Sequence, residues 1–71
     1  MTVAQHWAAR GYMRASEVAR RTGLARSTIT RWVDAGIVVG ERSGDQLWVT
    51  IESMKRKLGS AGAVLDEVSE T

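Results

Sequence analysis

Five polar side chains crowd into one short window: Arg26, Ser27, Thr28, Thr30 and Arg31. A guanidinium such as that of Arg26 or Arg31 can pair bidentately with guanine O6 and N7. The hydroxyls of Ser27 and Thr30 are short enough to meet base edges. Thr28 suits a phosphate oxygen, a contact that fixes register without carrying sequence information. Arg14, Arg42, Gln46 and Lys55 complete the candidate backbone-contact set, with Arg20 adding to the positive field. No competing chemistry is legible. The chain has no cysteine and a single histidine, His6, so a thiolate or zinc site is not expected. There is no nucleophile motif and no phosphate-cradling glycine loop, and a substrate pocket is hard to build in 71 residues. The expectation is therefore a binding protein without catalytic residues, metal or cofactor.

The elements around the window say how it would be held. Ile29, Trp32 and Val33 repeat at i, i+3, i+4, which predicts a helix over Arg26–Ala35 with these three buried and the polar set outward. Upstream, Ala15–Thr22 predicts a helix with Val18 and Ala19 inward and Glu17, Arg20 and Arg21 outward. Gly23 stands between the two, where a left-handed residue would end the first helix, and Leu24 points back into the gap. The start of each helix is weakly capped: Arg14 and Ala25 occupy positions where Ser or Thr would accept a backbone amide. Glu17 is placed to reach back to the free amides of the first. A short helix, polar on its outer face and braced by a partner across a glycine turn, has the form that enters the DNA major groove.

Around this pair the remaining elements follow from capping and periodicity. Thr2 and Gln5 have capping-box spacing, predicting a helix Val3–Arg10 closed by Gly11, with Val3 and Trp7 inward and His6 exposed. After Gly36, Ile37–Val39 reads as a β-branched strand, Ser43-Gly44-Asp45 as a turn and Gln46–Val49 as the return strand. Leu47 and Val49 would face the core of this hairpin, residues 37–49. Thr50 caps a further helix, Ile51–Leu58, burying Ile51, Met54 and Leu58, and Gly59 closes it. Residues 60–71 read equally as a tail or a short helix, with Ala61, Val64, Leu65 and Val68 at helical spacing and Gly62 weakening the first turn. The organisation expected is a packing helix over 1–11, the main domain over 12–59 and the tail over 60–71.

Charge agrees with a polyanionic partner. Residues 10–57 hold all ten Lys and Arg against five acids, leaving +5, while Asp66, Glu67 and Glu70 give the tail −3. The longest run of large aliphatic residues is Ile37–Val39, too short for a membrane span, and no secretion signal is legible at the N-terminus. A cytoplasmic protein is expected, in the bacterial nucleoid or a phage-infected cell.

Helix, glycine turn, helix, hairpin and helix make a mainly α fold with a small β-hairpin, a winged helix-turn-helix. Over residues 12–58 the sequence resembles the MerR-like and excisionase-type DNA-binding family. The resemblance rests on Glu17-Val18-Ala19, Thr22-Gly23-Leu24, Arg26 through Val33, and Gly36-Ile37, with Glu41 through Asp45 a looser match to that family's wing. It implies helix 26–35 as the reader of double-stranded DNA and hairpin 37–49 as the wing. The function expected is a sequence-specific transcriptional regulator. A domain this small would self-associate on DNA, as a dimer or a head-to-tail array. An excisionase-type recombination accessory factor or the DNA-recognition domain of a phage small terminase are alternatives of the same class. A protein–protein interaction module, using Trp7 or Trp48 as an exposed anchor, is the alternative of another class.

Overall fold

A computed structural model describes residues 2–65. The order is α1 (Val3–Ala9), β1 (Tyr12–Arg14), α2 (Ala15–Thr22), α3 (Arg26–Asp34), β2 (Gly40–Ser43), β3 (Gln46–Thr50), α4 (Ile51–Leu58) and a 3-10 helix (Gly59–Leu65). The three strands form one antiparallel sheet in the order β1-β3-β2. Helices predominate, and both faces of the sheet are covered.

One face holds the main core. Leu47 and Val49 point toward it from β3, with Met13 paired opposite Val49. Val18 of α2, Ile29 of α3, Met54 of α4 and Leu65 of the 3-10 helix close over them. Trp32, Val33, Ile51 and Leu58, all expected inside, are half-buried against this cluster. The side chain of Trp48, between Leu47 and Val49, necessarily points to the other face. It too is buried, beneath Trp7 of α1.

Local signals account for most element ends. Thr2 and Gln5 form the expected reciprocal cap of α1. Thr50 accepts the Ser53 amide at the start of α4. Gly23 ends α2 at φ 79°, ψ 5°, the left-handed region that a Cβ would disfavour. Arg14 and Ala25 precede α2 and α3 without a side-chain cap, as their chemistry requires.

Several expectations are corrected. Ile37–Val39 is not a strand: after α3 the amides of Ile37 and Val38 both bond back to the Trp32 carbonyl, so the chain is still closing the helix end. β2 begins only at Gly40, with Ile37 and Val39 50% and 57% exposed and Val38 buried. The hairpin is not alone either, since β1 adds a third strand along β3. Three residues are too few to display a period of two. Val3 is 65% exposed, because on this short helix Trp7 alone covers the sheet. Glu17 does not reach back to the amides of α2; its carboxylate is taken by Arg20 and Arg21. α1 and α3 each stop one residue early, with Arg10 and Ala35 as C-caps.

The segment after Gly59 is part of the packed domain as far as Leu65. Gly62 is buried where the 3-10 helix crosses α4, and a Cβ there would lie 2.8 Å from Lys55 Cα. Its role is close approach, not helix breaking. Val68, Asp66, Glu67 and Glu70, named in the sequence reading, lie outside the described residues.

Candidate nucleic-acid interface

α3 is clamped along one side. Ile29 is fully buried, and Trp32 and Val33 pack on the same core. The opposite arc presents Arg26, Ser27 and Arg31, all exposed, with Thr30 half-buried beside them. Thr28, turned toward Trp32, is half-buried at the margin.

Among the described residues, neither Arg26 nor Arg31 pairs with a carboxylate, whereas Arg20 and Arg21 share Glu17 and Arg56 holds Glu52 at 2.9 Å. Glu17 is correspondingly lowered to about 2, first by its hydrogen bond from Arg20, then by that from Arg21. Glu17 thus engages both cations of α2, though one carboxylate offsets only one of the two charges, while among the described residues the two arginines of α3 have no carboxylate partner. The amides at the start of α3 are also uncapped, at the positive end of the helix dipole.

The hairpin contributes one of its two expected residues to this side. Arg42 stands opposite Leu47 in the register, so its side chain shares the face turned toward the helices. Its Nη2 donates to Asp34 Oδ1 at 3.2 Å, tying β2 to the end of α3. Gln46 pairs with Ser43, one residue out of phase with Leu47, and belongs to the opposite face. Arg14 is on that opposite face as well, its guanidinium 5.3 Å from the Trp48 ring centroid. Lys55, on α4, is half-buried where Gly62 approaches. The structure therefore groups Arg26, Ser27, Thr30, Arg31 and Arg42, and does not bring Arg14 or Gln46 to them.

Two neighbours escaped the sequence reading. Lys57 of α4 sits with its ammonium 5.1 Å from the Trp32 ring centroid, adding a cation beside α3. Asp34 adds an anion, paired with Arg42. Neither has a local sequence signal, because each contact joins two different elements and so follows neither helical nor strand spacing.

No protein-family model, curated protein or solved structure matches this chain. Among the described residues there is no group of three or more His, Cys, Asp or Glu able to hold a metal ion, and no helix is long and apolar enough to cross a membrane. His6 is exposed on α1, its ring Nε2 3.5 Å from Arg10. The chemistry on offer is a row of N–H and O–H donors on a braced helix, suited to phosphate oxygens and to the acceptor edges of bases.

Proposed function

We propose that this protein is a sequence-specific double-stranded DNA-binding protein of winged helix-turn-helix type, acting as a small transcriptional regulator. α3 enters the major groove, with Arg26, Ser27, Thr30 and Arg31 toward the bases and Thr28 toward the backbone. The β2–β3 hairpin is the wing, carrying Arg42. The observation that supports this best is the contrast, among the described residues, between guanidinium groups on α3 that have no carboxylate partner and the carboxylate-paired ones on α2. Outward arginines on a braced helix suit an anionic partner.

Binding of a random duplex titrated against salt tests the class. Neutralising about five phosphates predicts that log affinity falls with log salt at a slope of roughly −4 to −5. Binding that is absent, or indifferent to salt, overturns the reading. Enrichment of bound sites from random duplexes then separates the modes of self-association on DNA. A paired inverted motif marks a dimer, and direct repeats mark a head-to-tail array. The interaction-module reading loses its original support, since Trp7 and Trp48 are 8% and 3% exposed and offer no aromatic anchor.

A further inference from the structure

Asp34 sits where two separate arguments disfavour a carboxylate. It is the last residue of α3, the end at which the helix dipole favours cations. Helical spacing also puts it one turn beyond Thr30 and two beyond Arg26, on the stripe that would face a polyanion. Its side chain is exposed, so packing does not require it. What it does have is a partner from another element, the Arg42 guanidinium of β2. The pairs Glu17–Arg20, Glu17–Arg21 and Glu52–Arg56 each lie within a single helix, whereas Asp34–Arg42 joins the helix to the hairpin.

We infer that Asp34 is a positioning residue for target discrimination, holding Arg42 and the hairpin in fixed relation to α3; this rests on α3 and the hairpin being the DNA-binding surface. Arg42 carries further N–H donors beyond the one given to Asp34, so it can hold the carboxylate and a phosphate oxygen together. An exposed pair adds little to global stability. Its consequence is orientation: two contact elements arrive at the duplex in one register instead of several, which reduces the ordering cost for the correct site.

The test exploits opposite signs. If Asp34 were only a misplaced negative charge, Asp34→Ala would tighten binding to every duplex alike. If it positions Arg42, Asp34→Ala narrows the affinity ratio between a duplex enriched from a random pool and random duplex, by about two- to fivefold. Arg42→Ala then narrows it no further in the Asp34→Ala background. Asp34→Glu, which keeps a carboxylate within reach of the Arg42 guanidinium, retains the ratio. Thermal unfolding of each variant keeps folding separate from discrimination. Equal tightening on both duplexes, or a folded Asp34→Glu protein whose ratio falls as far as that of Asp34→Ala, overturns the inference while leaving the DNA reading intact. Failure of the unmodified chain to bind duplex in a salt-dependent way overturns that reading, and the role of Asp34 with it.

Discussion

The indole rings of Trp7 and Trp48 lie nearly parallel, 12° apart with centroids 5.3 Å from each other. Tyr12 meets Trp7 edge-on at 4.9 Å, and the guanidinium of Arg10 caps the cluster 5.6 Å from the Trp7 centroid. This is a second apolar cluster, on the far side of the sheet from Ile29 and Met54. It holds the middle strand from behind while α3 is held from the front. The position of the hairpin relative to α3 thus depends on both sides of β3.

Trp7→Ala should therefore be costly although Trp7 is far from the proposed reading face. Truncating a buried tryptophan costs about 3–5 kcal/mol, a large share of what a domain this small can have. Chemical denaturation should show the loss, and a change below about 1 kcal/mol would mean that α1 is dispensable for the fold.

Gly62→Ala tests the packing of the 3-10 helix. The added methyl would meet the backbone of Lys55, which has no rotamer with which to yield. Overpacking of this kind costs about 1–3 kcal/mol. Ser60→Ala, at an exposed neighbour, should stay within about 0.5 kcal/mol and serves as the control.

Glu17 predicts a pH dependence. Its carboxyl is lowered from 4.5 to about 2 by the Arg20 and Arg21 hydrogen bonds, so the folded state favours the ionised form. The contribution is fully present above about pH 4.5 and is lost as pH falls toward about 2. Equilibrium unfolding followed across this window should show a loss that Glu17→Gln removes; identical acid profiles for both proteins would assign the effect elsewhere.

Arg31→Ala and Arg26→Ala test the reading role on DNA. Each should cost about 1–3 kcal/mol on the preferred duplex and relax the base preference at one position. Lys57→Ala, by contrast, should weaken preferred and random duplexes alike and make the salt slope shallower by about one. Competition binding on single-base variants of the enriched site measures both. An Arg31→Ala protein with undiminished discrimination would remove that residue from base contact.

The two central helices, their glycine junction and the caps at Thr2 and Thr50 were legible in the sequence. Each depends on neighbours within one or two turns: the Ile29-Trp32-Val33 stripe, the missing Cβ of Gly23, a hydroxyl three residues from an amide. So was the outward arc from Arg26 to Arg31, which follows once the buried stripe is known. Tertiary structure alone decided what crosses between elements. Tyr12–Arg14 became a strand because β3 offered an unpaired edge, and Trp48 was buried because α1 brought Trp7 to it. Arg42 was turned toward Asp34 and Gln46 away from it by strand register, since one step along a pleat reverses the face of a side chain. Local spacing determines which faces a helix or strand has, but only packing determines what each face meets.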